Sequence, residues 1–413
     1  MLRVAERLTL ATSGVVCLGL LVASPWLAGE VYGDERLLPL FIIFALALPG
    51  AAVLRVSAAA TRVSQDLRAS VVIEDFGRPF LFAVIAVFLL WRGMGVLGAA
   101  IAVSLSFLLM AFPARVWARK WFPHTPDGRP KGEPIASART LVRYSVPMAL
   151  AGTVGVTMTW FDRLLVGFYL PIEAAGWYQV AAQASGAFAV VVGAFNAIFT
   201  PMIAGLLVRG ERERLEELFR VATKWGALAV LPGAALCLAA PEAALGSIWG
   251  ADYLPAAAPL VILTCGQLVT VGTGAVGYLL MMSGHPNLWL GLSLGALGAD
   301  VLLNVLLIPR YGLVGAAAAT AMSVAVLFIG GLIVVRRRLG IWPWDRRFLG
   351  VVATGVGVLV AAFLLREWTA LGQTGTVLAV VGLAAGLTLV GWRLMASGPE
   401  DRLILRKLSR LGR

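Results

Sequence analysis

Residues 160–178 read WFDRLLVGFYLPIEAAGWY and place an acidic-basic pair, Asp162-Arg163, inside a run that is otherwise apolar. Pro171 then marks a tight turn, after which a second apolar run begins. This pattern predicts two membrane-spanning helices joined by a short turn. An ionised side chain at bilayer depth costs about 2.5 to 3.5 kcal/mol on insertion scales. The pair is therefore expected to face a protein interior or a wet cavity, which makes it the first candidate for a functional site.

The composition is that of a protein with many membrane spans. Of the 413 residues, 60% are hydrophobic and only 14% are charged, whereas roughly a quarter of a soluble domain is charged. The net charge of +12 is interpreted as arginine-rich loops at one membrane face rather than a nucleic-acid-binding surface. The three cysteines lie within apolar runs, and the histidines at 124 and 285 have no metal-ligand spacing. No disulfide framework, metal site or cofactor is predicted.

Twelve apolar stretches are long enough, or nearly so, to form membrane-spanning helices. They lie at 9–29, 37–58, 78–92, 95–115, 142–169, 174–206, 221–240, 256–282, 288–308, 313–335, 348–366 and 375–394. The loops alternate in charge along the chain, because one set carries most of the Arg and Lys residues and the other carries mainly Asp and Glu. The positive-inside rule then predicts a multi-pass protein of the cytoplasmic membrane with both termini in the cytoplasm.

Two stretches resemble each other and indicate an internal repeat. GVLGAAIA at 95–102 is similar to GLVGAAAA at 312–319, and the flanking turns also correspond. The four spans within 9–115 therefore match the four within 221–335. Internal repeats of this kind are typical of transporters whose substrate site lies between the two halves. The alternative is that small residues recur because they let helices pack closely.

The repeat predicts an all-α membrane protein with two related lobes. The spans at 142–169 and 174–206 have no counterpart ahead of the first copy. The first lobe is therefore expected to lack its first two helices; the alternative is that the two halves are unequal. The predicted segments are an N-terminal lobe at 1–115, a cytoplasmic linker at 116–141, a six-helix C-terminal lobe at 142–335, two additional helices at 336–394 and a basic cytoplasmic tail at 395–413.

Three segments carry a resemblance to a known family: VRYSVPMALAG at 142–152, WFDRLLVGFYLPIEAAGWYQVAAQ at 160–183 and LLNVLLIPRYGLVGAAAATAMS at 302–323. They are similar to the C-terminal lobe of polysaccharide biosynthesis exporters, the Wzx-type oligosaccharide flippases. These proteins belong to the multidrug/oligosaccharidyl-lipid/polysaccharide exporter superfamily. The resemblance implies two six-helix lobes, often followed by two extra helices, and transport coupled to an ion.

The function implied by this resemblance is a flippase that moves a polyprenyl-pyrophosphate-linked oligosaccharide across the membrane by alternating access. The expected partners are that lipid-linked substrate, membrane lipids and polysaccharide-assembly proteins, with no nucleic acid. One alternative is a cation-coupled drug or metabolite antiporter of the same superfamily. A second is a membrane polysaccharide polymerase or ligase, although the chain has no large exterior loop with paired ionisable groups. Under the leading hypothesis the protein is a transporter and not an enzyme, so no catalytic residues are expected.

The charged candidates lie in the fifth and ninth predicted spans. Arg163 would attract a phosphate, and Asp162 would orient that phosphate or carry a proton. The alternatives are a structural ion pair and an arginine that reaches the exterior interface. Asp300 is one helical turn from Asn304 and is a candidate for coupling to a cation or proton. The alternative there is a hydrogen bond between packed helices.

The polar candidates lie mainly in the sixth span. Tyr178 and Asn196 share one face of that helix, and Gln179 and Gln183 lie one step around it, so these side chains are candidates for hydrogen bonding to sugars. The alternative for each is a polar contact between helices. Arg143 lies at the predicted cytoplasmic mouth, where a pyrophosphate headgroup would enter, and its alternative role is to set the topology.

Overall fold

The structure, a computed structural model, describes residues 2–63, 71–121, 138–368 and 372–395, and these parts are almost entirely helical. The helices are α1 Leu2–Trp26, α2 Leu38–Val63, α3 Arg78–Trp91, α4 Gly95–Trp121, α5 Ala138–Tyr169, α6 Ile172–Arg209, α7 Arg212–Ala239, α8 Pro241–Ile248, α9 Ala257–Thr273, α10 Val276–Met282, α11 Pro286–Leu339, α12 Arg346–Trp368 and α13 Gln373–Met395. Short π-helical or 3₁₀ segments adjoin four of them, at Leu27–Val31, Glu35–Leu37, Val71–Gly77 and Ala251–Ala256.

Within the described ranges, nine helices are long and apolar enough to cross a bilayer. Their outward surfaces carry large apolar side chains that water would not favour, such as Val22, Val96 and Val190, each more than 70% exposed. Such exposure is expected where lipid rather than water surrounds the protein. The predicted fold class, an all-α multi-pass membrane protein, is confirmed.

The longest helix, α11, is a hairpin of two arms. Gly312 has φ 57° and ψ −134°, a conformation outside the helical range, and it divides α11 into α11a (286–311) and α11b (313–339). The ring centroids of Trp289 and Phe328, one from each arm, lie 5.9 Å apart. The two arms therefore run antiparallel, and they coincide with the predicted spans 288–308 and 313–335.

The chain divides into two compact units, of which the first is Met1–Ala149. Its helix α2 packs against α1 and α4, and α3 packs against α4. Arg115 of α4 also reaches Glu6 of α1, with 3.1 Å between Nη2 and Oε2. Since Glu6 is only 3% exposed, this ion pair neutralises an acidic side chain inside the unit.

The second unit is Leu150–Arg413, so the division falls inside α5. Its main apolar core includes Val166 of α5, Tyr178 of α6, Leu260 of α9 and Ile308 of α11a, none of which is measurably exposed. Several consecutive helices therefore share one interior. Part of the predicted linker and nearly all of the predicted tail, residues 122–137 and 396–413, lie outside the described residues.

A break at Gly274 interrupts the stretch 256–282, which the sequence pattern predicts as a single span. Gly274 has φ 71° and ψ −151°, and it separates α9 from α10. A Cβ atom at this position would collide with the hydroxyl group of Thr223 on α7. Two residues before the break, the carbonyl of Gly272 accepts a hydrogen bond of 2.7 Å from the indole N–H of Trp344. Close packing and a distant side chain thus stabilise a discontinuity that hydropathy does not reveal.

The last two helices pack on α7 through small apolar residues, among them Ala235 of α7, Val358 of α12 and Val380 of α13. At one end of this packing Arg366 donates to the carbonyl of Ala239 at 2.8 Å. The α12 and α13 pair is therefore part of the second unit.

Candidate functional site

A buried carboxylate, that of Asp162, lies at the centre of a polar cluster in the second unit. The Tyr178 hydroxyl donates to its Oδ2 at 2.8 Å, and the Arg163 backbone N–H donates to its Oδ1 at 2.8 Å. The Thr320 hydroxyl lies 3.3 Å from the same Oδ2 and 3.0 Å from the Tyr178 oxygen. Asp162 is only 3% exposed, so these groups replace the water that a carboxylate would otherwise bind. Three helices, α5, α6 and α11b, thus meet at one side chain.

The guanidinium of Arg163 lies beside this carboxylate but does not make a close bond to it. Its Nη1 is 3.6 Å from Oδ1 of Asp162, and its Cζ is 4.7 Å from the centre of the Trp160 ring. Its Nε and Nη1 make no hydrogen bond to any residue that the structure describes. The arginine therefore keeps donors that an anionic ligand could use.

A second buried acidic group, Asp300 of α11a, differs from Asp162 because no described residue donates a hydrogen bond to its carboxylate. It is 2% exposed, and the side chains of Asn304 and Ser323 adjoin its carboxylate. Neither reaches a carboxylate oxygen with hydrogen-bond geometry, because Asn304 donates to the Asp300 backbone carbonyl and Ser323 to that of Ala319. Both carboxylate oxygens, and the amide oxygen of Asn304, are buried acceptors with no donor among the described residues.

Helix α11b connects the two acidic groups. Thr320 lies within reach of Asp162, and Ser323, one turn further along the same helix, adjoins Asp300. Thr320 and Ser323 thus place the two acidic side chains beside successive turns of one helix. Two like charges in a low-dielectric interior repel strongly, so a proton or a bound cation would stabilise the pair.

The remaining predicted candidates lie at separate places. Gln179 is half-buried and Gln183 is exposed on α6, and neither side chain has a hydrogen-bond partner in the described parts of the chain. Asn196 lines a cavity of about 380 Å³ further along α6. Arg143 lies on α5, but its side chain is outside the described residues. Their binding roles stay predictions.

Sequence reasoning did not assign a site role to Thr320 or Ser323. Both hydroxyls lie in the alanine-rich run GAAAATAMS, in which they are the only polar side chains. Their three-residue spacing on a small-residue helix face was a usable signal. Their pairing with Asp162 and Asp300 was not visible, because it depends on how α5 and the two arms of α11 pack.

The fold is similar to that of a solved membrane-protein structure. Over 95% of this chain and 83% of the other, the structure superposes on lipid II flippase MurJ in an inward closed conformation, with a TM-score of 0.73 and 14% sequence identity. The chain belongs to the family described as polysaccharide biosynthesis protein, whose model matches residues 4–258. The family indicated by the sequence segments is therefore confirmed.

Several curated relatives carry related names. The chain is 25% identical over 190 residues to the probable low-salt glycan biosynthesis flippase Agl15 of Haloferax volcanii, covering 46% of this chain and 40% of that protein. It is 24% identical over 267 residues to the probable flippase AglR of the same organism, covering 61% and 53%. A match of 25% identity to the capsular polysaccharide biosynthesis protein CapF of Staphylococcus aureus covers 47% and 49%. The chain thus spans about half the length of the curated relatives it matches. Their names agree with the prediction of a membrane transporter rather than an enzyme.

Proposed function

We propose that this protein is a flippase that moves a polyprenyl-pyrophosphate-linked oligosaccharide from the cytoplasmic to the outer leaflet of the cytoplasmic membrane for surface polysaccharide synthesis. The family and the flippase names of two relatives support this class of cargo. The observation that carries the proposal within the structure is the buried acidic pair Asp162 and Asp300. Such groups are expensive at membrane depth and are typical of ion-coupled transporters.

Transport of this kind requires alternating access but no covalent chemistry. An ion can drive it only if the ion binds one conformation more tightly than the other. We infer that a proton or a cation binds at Asp300, beside Asp162, where both carboxylate oxygens of Asp300 and the amide oxygen of Asn304 lack donors. Hard cations prefer oxygen ligands, and a proton would equally remove the repulsion between the two carboxylates. Because α5, α6 and α11 all contribute to the cluster, binding would favour one arrangement of these helices.

The charged end of the cargo needs basic groups with free donors. Arg163 keeps two buried donors that make no hydrogen bond to the described residues, and it is our candidate for the pyrophosphate. Arg143 is the second candidate, at the other end of α5. Gln179 and Gln183 would serve the sugars, since each amide both donates and accepts hydrogen bonds.

The charge pattern of the loops supports an orientation with both termini in the cytoplasm. The basic residues Arg209 and Arg214 flank the α6–α7 turn, whereas Glu242 and Asp252 lie beyond the opposite end of α7. In this orientation the glycan would enter at the basic side and leave near Asp252. Polysaccharide-assembly proteins would then act on the glycan at the outer face.

A reconstituted transport assay tests the function. Proteoliposomes containing the full chain and a fluorescent polyprenyl-pyrophosphate-linked oligosaccharide should move the label between leaflets, as measured by its accessibility to a membrane-impermeant reductant. Mass spectrometry should recover the cargo unchanged. Protein-free liposomes provide the control. Export of a cationic drug without lipid transfer would instead favour the antiporter, and a lengthened glycan would favour the polymerase.

A further inference from the structure

A cavity in the second unit, distinct from the acidic pair, has the features of a binding site. Its volume is about 380 Å³, and its walls come from α6, α9, α10 and both arms of α11. This is within the usual range for small-molecule sites, roughly 300 to 1,000 Å³. The break at Gly274 contributes to its wall, so an irregular backbone faces the cavity where a continuous helix would present side chains.

Two side-chain amides face this cavity without protein partners. Asn196 of α6 and Gln267 of α9 both line it, and neither amide makes a hydrogen bond to any described residue. Each amide offers two donor hydrogens and an acceptor oxygen. An apolar occupant such as a prenyl chain would strip water from both amides without replacing it, which is unfavourable. The occupant should therefore carry hydroxyl or amide groups.

Aromatic rings form another part of the wall. Trp289 and Phe328 contact each other edge to face, with an interplanar angle of 69°, and Tyr278 also lines the cavity. Aromatic faces offer a broad apolar surface with a weak negative potential, against which polarised C–H groups pack well. The flat face of a sugar ring presents such C–H groups, and its edge presents hydroxyls. Amides and aromatic rings together are thus suited to one sugar ring.

The absence of charged side chains from the described lining of the cavity favours a neutral sugar over the pyrophosphate part of the cargo. None of the described residues that line the cavity is charged, so nothing there would compensate a pyrophosphate. The acidic pair and Arg163 lie elsewhere, since Asn196 is 18 residues from Tyr178, or about 27 Å along α6. It is only about 20 Å from Arg209 on the same scale. The cavity is therefore nearer the basic end of α6, where the proposed orientation admits the glycan.

We propose that this cavity binds one neutral sugar ring of the lipid-linked glycan before translocation, with Asn196 and Gln267 bonding to its hydroxyls and Trp289 packing on its face. This inference rests on the proposed function and assigns a separate subsite for the glycan part of the cargo.

Binding can be measured without transport. Saturation-transfer difference NMR on the full chain in lipid nanodiscs, with methyl glycosides of glucose, galactose, mannose and N-acetylglucosamine, should show transfer to at least one of them. Asn196→Ala and Gln267→Ala should each weaken that binding roughly fivefold, as expected for one lost hydrogen bond. Asn287→Ala is the matched control, because Asn287 is an exposed amide on the opposite side of the helix from Trp289. Absence of binding by the whole panel, or equal binding by all variants, would overturn the proposal.

A cavity-filling variant tests the site without removing any side chain that the fold needs. Gly193 lines the cavity, and a Cβ placed on it meets no atom within 4 Å. Gly193→Leu should therefore keep the helix stable while occupying the space of the sugar, so binding should disappear with thermal stability retained. If wild-type protein transfers the lipid-linked glycan but Gly193→Leu binds glycosides normally, the subsite is wrong and the flippase stands. If glycosides bind but no lipid is transferred, the flippase proposal fails instead.

Discussion

The hydroxyl group of Tyr178 shows how a buried carboxylate depends on its donors. Tyr178→Phe leaves the ring in its apolar core but removes the 2.8 Å bond to Asp162. We expect the free energy of unfolding to fall by about 1 to 3 kcal/mol, because a buried acceptor loses a donor that water cannot replace. Thermal unfolding of the purified protein in detergent measures this. Tyr311→Phe is the control, since Tyr311 is 62% exposed, and equal shifts for the two variants would contradict the prediction.

Substitution of Asp300 should not lower the free energy of unfolding, because its carboxylate has no hydrogen-bond donors among the described residues. Asp300→Asn removes a charge without breaking a hydrogen bond, so the free energy of unfolding should be unchanged or raised. Lipid transfer in proteoliposomes should lose its response to an imposed cation or proton gradient. Asp252→Asn, at an exposed position, should keep that response. A variant of Asp300 that is less stable yet fully coupled would show that the group is structural.

At the scale of elements, the break between α9 and α10 depends on one glycine. Gly274→Ala should lower the free energy of unfolding by about 1 to 3 kcal/mol, the usual cost of a side chain in such a backbone conformation. The collision with Thr223 adds to that cost. Gly272→Ala is the matched control, because a Cβ there meets no atom within 4 Å. Thermal unfolding of both variants measures the difference, and a neutral Gly274→Ala would mean that the break is not held in this form.

The helices themselves were largely predictable, since long apolar runs bounded by charges and turns determine them locally. The same local signals place Asp162 and Asp300 in spans, and the cost of charge in a membrane marks both as candidates. The break at Gly274 was missed because a glycine in an apolar run is also common in unbroken membrane helices. The cavity was missed for a related reason. Asn196 was visible as a polar residue on α6, but Gln267 and Trp289 join it only through packing.

At the scale of the whole molecule, the distribution of charge predicts orientation. Helix α7 has 28 residues, or about 42 Å at 1.5 Å per residue, which is enough to cross a bilayer. In a cysteine-free background, Glu213→Cys and Asp252→Cys place single exposed thiols in its first turn and beyond its far end. In intact cells a membrane-impermeant maleimide should label Asp252→Cys alone, and permeabilised cells should show labelling of both. Loops rich in Arg and Lys are retained on the cytoplasmic side, which is the reason for this expected labelling. Labelling of Glu213→Cys in intact cells would invert the orientation, and the sugar cavity would then face the side where the glycan leaves.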